Sequence, residues 1–147
     1  MALYCFDSSA LVKRYVHEPG SVWVRETTAH ASGHLIHLSL LTTAEIASAF
    51  ARRQREGHLS APECDRLFGT FLVDCARSYL LLRLEEDVIQ HAVSLVRHYP
   101  LRAADAIQLS QALQEAQLGP AIVVSADDRI LEAALHEGLT IENPNLL

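Results

Sequence analysis

Five short apolar runs, separated by helix-favouring segments, constrain this chain more than any other feature. They are Leu3 to Phe6, His34 to Leu38, Tyr79 to Leu84, Ala121 to Ser125 and Leu139 to Glu142. Their apolar character is continuous rather than alternating, the pattern of strands buried on both faces. Strands that alternate with helices pair in parallel, with helices covering the sheet. SSALVKRYV follows the first run until Pro19 and Gly20 break it, and SVWVRETTAHA resumes with Ser21 as N-cap and Gly33 as its end. Thr42-Thr43-Ala44-Glu45 has the form of a capping box ahead of IASAFARRQRE, which Gly57 stops. Ser60-Ala61-Pro62-Glu63 is a second capping box with proline in the first turn, and Leu67, Phe71 and Leu72 then share one helical face. Asp87 to Tyr99, Ala103 to Gln117 and Asp127 to His136 complete the helices. With no repeat, low-complexity stretch or linker, residues 1–147 read as a single α/β domain.

Half of the residues are hydrophobic and 20% are charged, a balance that excludes a disordered chain. The formal net charge of -6 argues against a nucleic-acid binder held by global charge. It leaves room for a nuclease, because acidic metal ligands supply part of the deficit and a bound metal reverses it locally. Cys5, Cys64 and Cys75 show no CxxC spacing and read as reduced thiols. There is no leader-like start and no apolar stretch of about 18 residues, so a cytoplasmic protein is expected.

Four carboxylates stand where an apolar segment gives way to a helix start. They are Asp7 in LYCFDSSALVKRY, Glu45 in LTTAEIASAFARR, Asp105 in PLRAADAIQLSQAL and Asp127 in IVVSADDRILEAA. In an open parallel sheet, functional groups collect beyond the carboxyl ends of the strands. Asp7 and Asp127 fall there directly, and Glu45 and Asp105 fall near helix starts that can face the same crevice. Burying one ionised carboxylate without a partner costs several kcal/mol. Gathering four therefore demands a cation, and a hard divalent ion suits oxygen ligands. Two of the acids also have a plain structural reading, Glu45 as the end of a capping box and Asp127, with Asp128, as a helix-dipole partner, whereas Asp105 in its largely apolar segment is harder to explain that way.

The segments DSSALVKRYVHEPGS, TTAEIASAFARR, LRAADAIQLSQAL and VVSADDRILEAA, in this order and spacing, resemble the PIN-domain ribonucleases, and among them the VapC-type toxins of bacterial toxin–antitoxin pairs. The resemblance covers nearly the whole chain. It implies a three-layer α/β/α sandwich around a parallel sheet, and a toxin that hydrolyses RNA with Mg²⁺ or Mn²⁺. Carried over position by position, Asp7, Glu45, Asp105 and Asp127 are the acidic catalytic and metal-binding set, with Ser9 and Ser125 as supporting hydroxyls. Asp128 is an alternative to Asp127. The resemblance also implies a cognate antitoxin that sets an apolar segment and a basic side chain into the toxin; the abundant Leu, Val and Ala on the early helices fit such a partner groove or a homodimer face, and no membrane association is expected.

Because magnesium takes one or two carboxylates directly and keeps several waters, Asp7 and Asp105 are expected on the ion, with Glu45 and Asp127 acting through water. Phosphate contacts fall to Arg102, the best placed just before Asp105, and to Arg52, Lys13 and Arg14; Arg53 and Arg55 flank Arg52, and all but Arg102 also read as a solvated helix face. Lys13 is the only lysine. His30, His34 and His37 lack a fourth ligand and do not make a zinc site. Trp23 reads as core or interface. A haloacid-dehalogenase-like enzyme would need an acid where Ser9 stands, and a receiver domain a late lysine that the chain lacks. The remaining alternative is a non-catalytic module whose acidic crevice binds a basic peptide.

Overall fold

The computed structural model describes residues 1–147. Strands β1 (Leu3–Phe6), β2 (Leu35–Ser39), β3 (Tyr79–Leu82), β4 (Ile122–Val124) and β5 (Thr140–Glu142) form one sheet in the order β3-β2-β1-β4-β5. Every pairing is parallel. Phe6 lies opposite Leu38 on one side and Val124 on the other, which fixes β1 at the centre. The connecting helices are α1 (Ser8–Leu11, continued by a 3-10 turn at Val12–Arg14), α2 (Ser21–Thr28), α3 (Leu41–Arg55), α4 (Ala61–Arg77), α5 (Glu86–His98), α6 (Ala103–Leu118) and α7 (Asp128–His136).

Successive strand residues feed opposite cores, as the two-residue period of a strand requires. Phe6, Ile36, Leu38 and Val124 join a core closed by Ile46 and Phe50 of α3 and Phe71 of α4. Cys5 and Val123 join a second core with Leu95 of α5, Leu109 of α6 and Ile130 of α7. The result is the expected three-layer α/β/α sandwich. His37 also points to the second side, where its Nδ1 lies 2.6 Å from Glu115 of α6.

Chain order runs from β1 outward through β2 to β3, then returns to start β4 on the other flank of β1. The strand order therefore reverses between β1 and β4. A crevice opens at such a reversal, beyond the carboxyl ends of the strands.

Four local expectations are corrected. The Thr42–Glu45 capping box does not form: α3 begins at Leu41, so Thr42 is already helical and Glu45 sits too far along the first turns to reach back. Thr42 is fully buried, its hydroxyl without a partner. Ser21 is not the N-cap of α2; Gly20 takes that place at φ +87°, where a Cβ would fall 2.3 Å from the Pro144 carbonyl oxygen. That helix ends at Thr28, before a short 3-10 turn and Gly33. On α4, Phe71 is buried but Leu72 is exposed, because a one-residue step turns a side chain by 100°. The Ser60–Glu63 capping box forms as expected. Trp23 packs against Tyr4 and Phe6 at the edge of the first core.

Candidate active site

Asp7 leaves the end of β1 with its backbone N–H donating to the Val124 carbonyl and its side chain capping α1. Oδ1 accepts from the Ala10 N–H at 3.0 Å and from the Ser9 hydroxyl at 2.7 Å. Oδ2 accepts from the Ser125 hydroxyl at 2.6 Å, across from the end of β4. Both serines singled out by sequence therefore converge on this carboxylate. Ser9 and Ser125 also brace the turn after β4, accepting from the Ala126 and Asp127 N–H groups. Asp7 is buried, and burial pushes its pKa up to about 6; the Ser125, Ser9 and Ala10 donors oppose the rise and the Glu45 charge adds to it.

Glu45 is half-buried on α3 and accepts from the Gln108 side-chain amide on α6. Burial raises its pKa, the Gln108 hydrogen bond works against this, and the Asp105 charge reinforces it. Asp105, three residues before Gln108 on the same helix, is buried. Arg102 Nε reaches Asp105 Oδ2 at 3.3 Å, and its Nη2 lies 3.9 Å from Asp127 Oδ2. Asp127 caps α7 by accepting from the Arg129 N–H at 2.9 Å, and pairs with the Arg129 guanidinium at 3.3 Å. Burial pulls the Asp127 pKa up, but the Arg129 donors and the charges of Arg129 and Arg102 outweigh it and leave it lowered.

The four acids thus sit within electrostatic reach of one another at the sheet's reversal point: Glu45 with Asp7, Asp105 with Glu45, and Arg102 bridging Asp105 and Asp127. They are neighbours rather than a preformed cage, since no three of them converge tightly enough to ligate one ion. Their chemistry fits a hydrated hard cation, which takes one or two carboxylates directly and leaves the others to its waters. The desolvated Asp7 has no basic partner among its hydrogen bonds, and a cation would favour its charged form. Asp128 is exposed beside the cap and does not enter this set.

A groove of about 530 Å³ opens beside Glu45, and its lining includes Ser9, Glu45, Arg102, Lys13 and Arg52. Arg14 is not among the lining residues: it bonds Asp74 of α4 at 3.1 Å and the Thr28 hydroxyl, and serves the packing of α1 on α4. Arg55 is exposed at the end of α3. Beneath Asp7 lies a water-sized cavity of about 20 Å³ whose lining includes Gln108 and Gln111, the side-chain oxygens of which have no partner.

Sequence reasoning missed Gln108 and Arg129. Both carried a signal: Gln108 is three residues from Asp105, so it shares that helix face, and Arg129 follows Asp127 at the distance at which an N-cap accepts.

A five-stranded parallel sheet with acids gathered at its reversal point defines a nuclease-like α/β/α class, and the chain belongs to the PIN-domain family, whose model matches residues 4–135. It is 32% identical over 143 residues to Ribonuclease VapC45 of Mycobacterium tuberculosis (strain CDC 1551 / Oshkosh), covering 92% of this chain and 91% of that protein. Ribonuclease VapC49 of strain ATCC 25618 / H37Rv matches to the same extent. The fold is also that of FitAcB from Neisseria gonorrhoeae, with a TM-score of 0.69 at 18% identity over 99% of this chain and 100% of that one. VapBC2 from Rickettsia felis, solved with a promoter DNA fragment, superposes with a TM-score of 0.67 at 13% identity, covering 96% and 98%.

Proposed function

We propose that this chain is a metal-dependent endoribonuclease acting as the toxin of a toxin–antitoxin pair. The observation that carries the reading is Asp7: a buried carboxylate at the strand-order reversal, fixed by three donors and facing the Glu45 charge, with Asp105 next to Glu45 and Arg102 linking Asp105 to Asp127. The family membership and the names of the mycobacterial ribonucleases support the same chemistry.

A bound Mg²⁺ or Mn²⁺ would supply Lewis-acid polarisation of a phosphoryl oxygen and acidify a water. Asp7 and Asp105 would hold that ion directly, with Glu45 and Asp127 reaching it through water. Ser9 and Ser125 keep Asp7 in one rotamer and share out its two oxygens. Glu45, its pKa raised, is the better proton acceptor for an attacking water than an ordinary exposed carboxylate would be. Arg102 neutralises Asp105 and Asp127, and, being largely exposed, can turn its guanidinium to an incoming phosphate. Arg52, on the groove, extends phosphate contact along the strand being cut.

The proposed partner is an antitoxin whose basic side chain meets the acidic notch, with a second copy of the chain as a further partner. The FitAcB and VapBC2 likenesses support the fold on which such pairing would be built. No helix is long and apolar enough to cross a membrane, and the proposed place of action is the cytoplasm, where RNA is met.

Purified protein incubated with structured RNAs will cleave them internally with Mg²⁺ or Mn²⁺ and stop when a chelator is added. Cleavage that persists unchanged in chelator, or no cleavage of any RNA with either metal, overturns the reading.

A further inference from the structure

The groove beside Glu45 is also lined by a three-membered ion cluster, Lys13, Glu18 and Arg53, that the proposed chemistry does not use. Lys13 lies in the 3-10 turn after α1, and its side chain is only 5% exposed. An ammonium carries three donors, yet the one acceptor within reach is Glu18 Oε1, at a loose 3.4 Å. The other Glu18 oxygen accepts from Arg53 Nη2 at 2.7 Å, and Arg53 Nη1 donates to the Ala49 carbonyl of its own helix. A single carboxylate thus separates two cations, one of them buried and under-bonded.

The charge around it has a direction. Lys13, Arg52, Arg53 and Arg102 line the groove, against the two acids Glu18 and Glu45. With Arg102 committed to Asp105 and Asp127, the three cations Lys13, Arg52 and Arg53 still outnumber Glu18 and Glu45 along this surface, in a protein whose formal charge is -6. Cations concentrated in one concavity of an acidic protein focus a field that draws in a polyanion. Arg52 and Arg53 lie two turns beyond Glu45 on α3, about 10 Å along the helix axis, so they stand away from the reacting phosphate.

We propose that Lys13 and Arg53 form a phosphate subsite for an RNA phosphodiester flanking the one that is cut, and that Glu18 occupies it in the free protein as an internal counter-ion. The site rests on the nuclease reading for its substrate class. Its logic is an exchange: a phosphate has the charge and the acceptor oxygens to satisfy both cations, and its arrival releases the Glu18 carboxylate to the groove's solvent.

The test is equilibrium binding of a fluorescein-labelled mixed-sequence RNA 12-mer to the full chain in EDTA, followed by anisotropy from 50 to 200 mM salt. Lys13→Met and Arg53→Gln will each weaken binding and lower the slope of log K against log salt by about 0.7, the loss of one single-strand phosphate contact. Glu18→Gln will tighten binding several-fold, the direction that freeing Lys13 and Arg53 for a phosphate requires. The exposed Arg97 of α5, changed to Gln, is the control for general charge loss. If Lys13→Met does not fold, as judged by circular dichroism, the opposite effects of Arg53→Gln and Glu18→Gln still decide the matter. Unchanged slopes in folded variants, binding by Glu18→Gln no tighter than wild type, or no salt-dependent RNA binding by the wild type each overturn the subsite. RNA binding with the expected slopes but no cleavage with Mg²⁺ or Mn²⁺ supports the subsite while removing the nuclease reading.

Discussion

Asp7 and Asp127 do the same local work in very different surroundings. Each follows the end of a central parallel strand, and each caps the helix that comes next. Asp7 is buried among neutral donors, with its pKa pushed up to about 6; Asp127 is half-buried against two guanidinium groups, with its pKa lowered. The strand–acid–helix motif therefore does not decide the chemistry. What decides it is whether the protein supplies the balancing charge: Arg102 and Arg129 supply it at Asp127, whereas no cationic side chain bonds Asp7, which leaves that carboxylate for the proposed metal ion.

The largest expected effect follows directly. Asp7→Asn should remove roughly 4 kcal/mol of transition-state stabilisation, about a 10³-fold loss of metal-dependent RNA cleavage. Single-turnover cleavage at saturating Mn²⁺ checks this, and a variant retaining a tenth of the wild-type rate would erase the distinction between the two acids.

The same residue governs metal-free stability. The Asp7 pKa in the folded protein, about 6, lies above its ordinary value of 3.8, so the unfolded chain gives up this proton first. Its relative stabilisation is fully present below about pH 4 and is lost as pH rises through 6, by up to about 3 kcal/mol. Asp7→Asn lacks this dependence. Urea unfolding of both proteins in chelator should therefore show the variant gaining on the wild type between pH 4 and pH 7, and Mn²⁺ at neutral pH should restore the wild type alone. Parallel stability curves would refute the buried-charge account.

Ser125 tests how Asp7 is held. Ser125→Ala removes the 2.6 Å donor to Oδ2, raising the Asp7 pKa further and loosening its rotamer. Loss of a group that orients a metal ligand costs 10- to 100-fold in affinity, so calorimetric titration with Mn²⁺ at pH 7 should show a drop of about that size. An unchanged affinity would mean that Ser9 and the Ala10 N–H suffice.

The contrast also explains what the sequence could disclose. The parallel sheet was legible because its runs are apolar throughout and bounded by clear breaks, and Asp7 and Asp127 were legible because a strand ending is a local event. Asp105 stood out as an acid between alanines. Glu45 was ambiguous, since TTAE satisfies the capping-box pattern; the tertiary start of α3 at Leu41 overrode that pattern and left the carboxylate to Gln108. Lys13 and Arg14 are adjacent in sequence, yet one lines the groove and the other is drawn off by Asp74, a partner 60 residues away. Pairings of that kind, like Arg102 with Asp127 or Ser125 with Asp7, depend on register between distant strands and helices, which no local spacing encodes.

The smallest effect belongs to Asp127, and it separates its two jobs. Asparagine is as good an N-cap as aspartate, while alanine is not. Asp127→Ala should therefore lose about 1 kcal/mol of stability through the Arg129 N–H that it leaves unbonded, and Asp127→Asn should lose little. Both variants remove the charge that Arg102 and Arg129 balance, so both should weaken Mn²⁺ binding equally, and by less than Ser125→Ala does. Arg102, freed from Asp127, keeps its bond to Asp105 and so limits the damage. If instead Asp127→Asn weakens Mn²⁺ binding as much as Asp7→Asn, the two carboxylates share the ion directly, and the arginines beside Asp127 must move aside when it binds.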